Sequence, residues 1–234
     1  MMIHSPDQPD LGRLVGQLQE FFEFQKHLGW SYLPWSPKNP ENRETVPLVI
    51  QDSLTALSKT IMRCRNCALV RERHQAVPGQ GAFKARLMFV GEAPGVEEDQ
   101  QGRPFVGPAG QLLTKMIQAI NLQREVVYIT NVVKCRPPEN RQPFEDEINA
   151  CRDFMKEEIR LVEPEILVAM GSCAVQTLTG SKEKISALRG RWLDFHGRRL
   201  IATFHPAFLL RNPDAKREAW EDLKKVRRGY DGLE

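Results

Sequence analysis

Five cysteines stand in this 234-residue chain, and four of them fall in a pattern that can do chemistry. Cys64 and Cys67 form a CxxC pair, Cys135 ends an apolar run, and Cys151 lies in the helical stretch that follows. A CxxC pair can grip one metal centre, and two further thiols complete a tetrahedral set if residues 136–150 fold back as a loop and a helix. Zinc and a four-iron cluster both satisfy this ligand count. Zinc ribbons bring two CxxC knuckles where this chain has one, which favours iron and leaves zinc open. Cys173, in Gly-Ser-Cys, reads as a buried small hydrophobe.

A second constellation combines glycines, carboxylates and single polar residues. Gly91-Glu92-Ala93-Pro94-Gly95 is followed by Glu97-Glu98-Asp99, and then by Gly102-Arg103-Pro104-Phe105-Val106-Gly107-Pro108-Ala109-Gly110. Glycines let the backbone approach a ligand closely, and a helix opening near Gly110 offers free N–H groups to an anion. The loop has the spacing of neither the GxxxxGK[ST] phosphate loop nor the GxGxxG dinucleotide fingerprint. Asn131 interrupts an apolar run, where its amide needs hydrogen-bond partners. His205 precedes Pro206, which biases it toward extended backbone, and Leu209, Leu210 and Arg211 come just after.

The elements that must hold these residues are legible in the hydropathy pattern. Four short apolar runs, residues 86–91, 126–133, 165–171 and 200–204, each suit a strand buried on both faces. Helical patterns over residues 110–121, 145–161, 174–179 and 214–228 separate or follow them. That alternation predicts a parallel sheet with helices on both sides, in which ligands bind beyond the carboxyl ends of the strands. Glu92, Asn131 and His205 all fall at such ends.

The first 47 residues read as an appendage. Apolar spacing over residues 11–28 predicts an amphipathic helix that packs on the main domain or docks a protein partner. Residues 32–47 carry four prolines among polar residues and read as a linker. With 41% hydrophobic and 27% charged residues, the composition is that of an ordinary soluble globular protein. No apolar run is long enough to span a membrane and the start lacks signal-peptide layout, so a cytoplasmic location with reduced thiols is expected. A net charge of +3 does not by itself call for nucleic acid; any such surface must come from local placement of Lys and Arg.

The runs GEAPGVEEDQQGRPFVGPAGQLL, TNVVKCRPPENR and HPAFLLR, together with the cysteine tetrad, resemble the family 4 uracil-DNA glycosylases, the iron-sulfur branch of their superfamily. The likeness spans residues 62–211 in the expected order. It implies an α/β/α three-layer sandwich around a four-stranded parallel sheet, formed by residues 48–234, with the N-terminal helical appendage outside it. The implied activity is base excision repair: uracil is flipped out of DNA and its N-glycosidic bond hydrolysed, leaving an abasic site. The tetrad Cys64, Cys67, Cys135 and Cys151 would hold a [4Fe–4S] cluster that pins loops together, since hydrolysis moves no electrons.

The resemblance also assigns roles. Phe105 stacks on the uracil ring; Asn131 donates to O4 and accepts from N3–H, which rejects cytosine. Glu92, with Pro94 beside it, faces the edge where thymine carries its methyl. His205 donates, as a neutral ring, to the developing negative charge on O2. Leu209 and Leu210 wedge into the vacated stack, and Arg136, Arg141 and Arg211 hold flanking phosphates. The best-known related family has an aspartate two positions after the first glycine, where this chain has Ala93. Glu92 first and Glu98 second are therefore the candidates for stabilising the cationic sugar and orienting water. Uracil-containing DNA is the expected partner of a monomeric, nucleoid-associated protein. One alternative is a branch that binds uracil sites covalently through a histidine-bearing basic loop; the segment after Lys134 lacks that histidine. The other is a silent DNA-binding module, against which the retained Glu92, Phe105, Asn131 and His205 argue.

Overall fold

Uninterrupted apolar runs form the central strands because both of their faces meet helices. The computed structural model describes residues 41–233. The helix expected over residues 11–28 lies outside the described residues. In chain order the elements are α1 (Glu41–Arg63), β1 (Gln80–Gly81), β2 (Leu87–Gly91), α2 (Val96–Gln101), α3 (Pro108–Ala119), β3 (Tyr128–Asn131) and α4 (Glu145–Val162). There follow β4 (Ile166–Met170), α5 (Ser172–Thr179), α6 (Ile185–Leu188), β5 (Trp192–Phe195), β6 (Arg198–Thr203), α7 (Pro206–Arg211) and α8 (Lys216–Tyr230). The chain divides at Thr45, and the fold described below is that of the second unit, Val46–Glu234.

The sheet has the order β1-β3-β2-β4-β6-β5. Its four inner strands, β3, β2, β4 and β6, are parallel, which agrees with the expected core. Two short antiparallel edge strands, β1 and β5, were not foreseen. The β5–β6 hairpin turns at His196-Gly197, both at positive φ (52° and 79°), the geometry that a tight two-residue hairpin requires. Alternate residues of each strand face opposite layers. Met88, Val90, Leu167, Ala169, Leu200 and Ala202 pack with Met155 and Ile159 of α4 and Val175 of α5. Leu87, Phe89, Ile166, Val168 and Ile201 pack with Leu113 and Ile117 of α3 and Leu223 and Val226 of α8. The result is the three-layer sandwich that the alternation predicted.

Boundaries moved for local reasons. Helix α3 starts at Pro108 because proline has no N–H to lose in a first turn and Gly107 serves as its N-cap. Helix α1 begins at Glu41, so the proline-rich stretch read as a linker is helical over its last residues, Pro47 included. A proline there forgoes one backbone bond of the helix.

Candidate active site

Parallel register puts Gly91 opposite Asn131 at the carboxyl ends of β2 and β3. A cleft of about 420 Å³ opens there, lined by Glu92, Pro94, Phe105, Asn131, Arg141, His205, Phe208 and Arg211 among others. Gly91 is the residue that makes it: a Cβ at that position would strike both the Phe105 ring and the Asn131 Oδ1. Phe105 is buried and sits at φ 53°, an uncommon conformation for an aromatic residue that costs on the order of 1 kcal/mol. Its loop is clamped into that shape. The Arg124 guanidinium donates to the Pro104 carbonyl, Glu98 receives the next two amides, and α3 approaches so closely that a Cβ at Gly110 would collide with the Phe105 backbone.

Asn131 is 1% exposed, and its Oδ1 has no hydrogen-bond partner among the described residues. His205 lies opposite, its ring centroid 5.6 Å from that of Phe105. The His205 Nδ1 accepts from the Ala207 N–H at 3.1 Å, as the N-cap of α7. A neutral ring that accepts at Nδ1 carries its proton on Nε2, and the Nε2 atom is buried without a partner among the described residues. Burial, reinforced by the Arg211 charge, lowers the ring's pKa to about 4, so the neutral donor form prevails near neutrality. The cleft thus presents a flat aromatic face, an amide acceptor and an imidazole donor.

The carboxylates divide. Glu92 is half-buried, and desolvation raises its pKa above the usual carboxylate range. Glu98, the second catalytic candidate, has its carboxylate engaged by the surrounding loops. Its Oε1 accepts from the Val106 and Gly107 N–H groups at 2.8 and 2.9 Å, and its Oε2 from Gly95 N–H at 3.0 Å. With three amides on it, Glu98 lines the cleft with a carboxylate that is already engaged in holding the glycine loops together.

The rim also departs from expectation. Leu209 is 1% exposed and belongs to the core beneath α7, so it is no wedge. Leu210, at 44%, is exposed as expected, and Phe208, which was not singled out, is exposed and lines the cleft. The helical spacing of α7 decides this: one residue in the turn points inward and its neighbours outward. Arg211 is exposed at the cleft. Arg141 lines the cleft but forms a bidentate pair with the buried Glu147 carboxylate at 2.8 and 2.7 Å and stacks on Phe144. Arg136 donates to the Asn140 Oδ1 at 2.8 Å.

Beside this cleft the four tetrad cysteines line one small cavity, with Arg73, Lys134 and Phe154. Donors point at the sulfurs: the Arg73 guanidinium at Cys135 Sγ (2.8 Å), the Lys134 N–H at Cys151 Sγ (3.3 Å) and the Asn66 N–H at Cys64 Sγ (3.4 Å). Burial raises the thiols of Cys67 and Cys135 and pushes Cys151 up to about 12, so a cation in the cavity is what would make them thiolates. Among the described residues, no three Cys, His, Asp or Glu side chains converge closely enough for a single metal ion. Cys173 lies apart from this cavity and is half-buried, not fully buried as expected; its thiol, close enough to Glu92 to feel its charge, is pushed up to about 12 mainly by desolvation.

The three-layer α/β fold thus carries a strand-end pocket that presents an aromatic face, one amide and one imidazole N–H. The sequence model of the Uracil DNA glycosylase superfamily matches residues 78–224. The chain is 44% identical over 186 residues to the Type-4 uracil-DNA glycosylase of Sulfurisphaera tokodaii, covering 75% of this chain and 84% of that one. It is 41% identical over 181 residues to the Type-4 uracil-DNA glycosylase of Thermotoga maritima, covering 76% and 94%. Similarity to the Type-5 uracil-DNA glycosylase of Pyrobaculum aerophilum is lower, 32% over 169 residues, covering 65% and 74%. The chain belongs to the uracil DNA glycosylase superfamily.

Proposed function

We propose that the protein is a DNA-repair enzyme that flips uracil from DNA and hydrolyses its N-glycosidic bond, leaving an abasic site. The observation that carries this reading is the pair of unpartnered buried atoms, Asn131 Oδ1 and His205 Nε2, beside the Phe105 ring. Their complement is a ring with an N–H next to carbonyls, which uracil has and cytosine lacks. Phe105 receives the face of the flipped base, and Asn131 Oδ1 accepts N3–H while its amide N–H donates to O4. As the glycosidic bond lengthens, negative charge gathers on the base, and the His205 Nε2–H donates to O2 without a prior proton transfer. Positive charge on the sugar falls to Glu92, the half-buried carboxylate of the cleft, which also orients the attacking water. Ala93 supplies no carboxylate for this step.

The cysteine cavity fits a [4Fe–4S] cluster held by Cys64, Cys67, Cys135 and Cys151. Four thiols line one cavity without converging on a single-ion point, and three N–H donors aim at sulfur, both of which suit a multi-iron body over zinc. Such a cluster would supply fixed geometry and local charge beside the DNA-facing loop, not a step of hydrolysis. Arg211, Phe208, Leu210 and the remaining donors of Arg136 and Arg141 form the DNA-facing rim of a monomer that works on chromosomal DNA in the cytoplasm. No helix among the described residues is long and apolar enough to cross a membrane.

Incubation with single- and double-stranded oligonucleotides carrying one uracil, followed by alkali, should give strand breaks at the uracil. A covalent protein–DNA adduct would instead place the chain with histidine-linked binders, and intact DNA would leave a silent binding module. Iron, inorganic sulfide and zinc measured on the same aerobically handled sample decide the metal.

A further inference from the structure

The most fully buried charges among the described residues take no direct part in the reaction described above. Lys134 and Glu158 are each 1% exposed and meet at 2.6 Å. The Lys134 ammonium has three N–H groups and uses all of them: on Glu158 Oε2, on the Thr130 hydroxyl at 2.6 Å and on the main-chain carbonyl of Asn131 at 2.7 Å. Glu158 is equally occupied, accepting from the Thr130 hydroxyl at 2.7 Å and the Gly79 N–H at 2.8 Å. Burying such a pair is seldom a gain over apolar packing, so its presence asks for a reason other than stability.

Its position supplies one. The stretch from Asn131 to Cys135 carries a base-reading amide at one end and a tetrad cysteine at the other. Between them the Val132 and Val133 N–H groups donate to the carbonyls of Gly91 and Glu92 at 2.9 and 3.1 Å. The Lys134 N–H points at Cys151 Sγ, and its carbonyl accepts from the Val77 N–H at 2.7 Å. The chain just after β2 is therefore fastened to this short segment, and the Lys134 ammonium grips the first carbonyl of the segment.

We infer that the Lys134–Glu158 pair is a positioning device that sets the Asn131 backbone for base selection and ties it to the cysteine cavity. The inference rests on the uracil-excision reading. A buried carbonyl held by an ammonium cannot rotate without leaving itself and one ammonium N–H unpaired, so the peptide of Asn131 is held in one orientation. The amide side chain, which has no hydrogen bond at its Oδ1, inherits its aim from that peptide. An apolar replacement of the pair would preserve packing and release the peptide.

The test compares wild type with Glu158→Gln and with the double variant Lys134→Met/Glu158→Met, in which no unpaired charge is left. Steady-state excision from uracil- and cytosine-containing oligonucleotides is measured alongside melting temperature, iron content and amide hydrogen exchange at Val132 and Val133. The double variant should fold and keep its iron, with a melting temperature lowered because the Gly79 N–H, the Thr130 hydroxyl and the Asn131 carbonyl lose partners. It should lose about 100-fold in kcat/KM for uracil, with kcat falling more than KM rises, and discriminate against cytosine about tenfold less well. Glu158→Gln should show faster exchange at both valines and a smaller loss of the same kind. Wild-type excision and selectivity in a folded double variant would overturn the inference and leave the pair a structural feature. If the double variant does not fold, unchanged excision and exchange in Glu158→Gln would overturn it equally. A wild type that releases no uracil would refute the proposed reaction instead, and the exchange rates would still report whether the pair holds the segment.

Discussion

Acidification should protonate His205 only near pH 4, far below the ordinary imidazole value of 6.5. Burial is the main cause, and the Arg211 charge adds to it. Moving the proton affinity from 6.5 to about 4 corresponds to roughly 3 kcal/mol in favour of the neutral ring in the fold. The unfolded chain therefore takes up the proton first as the pH falls. The stability at stake is present in full above pH 6.5 and is lost progressively between 6.5 and about 4. Urea unfolding of wild type and His205→Gln across that interval isolates the contribution from those of the carboxylates, which both proteins share. The variant should lose about 3 kcal/mol less than wild type over the interval. Nitrogen NMR of the wild-type ring at neutral pH should show the proton on Nε2, because Nδ1 accepts from Ala207. Excision by the variant should fall about 100- to 1000-fold, the usual cost of one donor to a developing anion. A ring that titrates near 6.5, a proton on Nδ1, or parallel stability curves for the two proteins would refute the argument.

Four further outcomes follow from named contacts. Asn131→Asp removes the donor to O4 and should lower uracil excision by about 100-fold or more while making cytosine release measurable by chromatography of the freed bases. Glu92→Gln should lower kcat with little change in KM. It should also abolish the acid limb of the wild-type pH profile, which appears where pH falls through the burial-raised value at which this carboxylate becomes neutral. Leu209→Ala should cost about 2–5 kcal/mol in unfolding assays, whereas Phe208→Ala should cost only about 1 kcal/mol, from its ring contact with Phe204, and weaken DNA binding about tenfold in fluorescence titrations. Glu98→Ala should destabilise the protein by roughly 3 kcal/mol, since it strips the acceptor from three loop amides, and should raise KM through the loosened Phe105 loop.

The parallel core was legible because a strand buried on both faces must be apolar at every position, as in Leu87-Met88-Phe89-Val90 and Ile166-Leu167-Val168-Ala169-Met170. The edge strands were not. Trp192 to Phe195 has Asp194 in its middle and is only partly buried, so its run breaks the apolar criterion that found the others. The signal that was available is the His196-Gly197 pair, which permits two successive positive φ values directly before a strand. At two residues, β1 is too short for any periodicity to register. Helix α7 was hidden for a different reason. His205-Pro206 reads locally as extended, and it is extended at His205, but Pro206 is then the first residue of a helix where its missing N–H costs nothing.

The chemistry of the site divides along the same line. Asn131 and His205 stood out because a polar residue at an apolar strand end must answer to something, and in the fold each keeps one atom unanswered. Carboxylate roles cannot be found that way, since Glu92 and Glu98 follow the same strand within a few residues and carry the same side chain. What separates them is where the backbone amides of Gly95, Val106 and Gly107 point, a matter of loop closure across several residues. The arginines of the rim carry the same lesson. Arg141 reads as a phosphate ligand from its place in the sequence, yet the buried Glu147, six positions on and in the first turn of α4, already holds two of its nitrogens. A buried partner fixes where a binding side chain sits and takes some of its donors. The loops at this strand end are held by such residues: Glu98, Arg124, Glu147 and the Lys134–Glu158 pair keep Phe105, Asn131 and Arg141 in place.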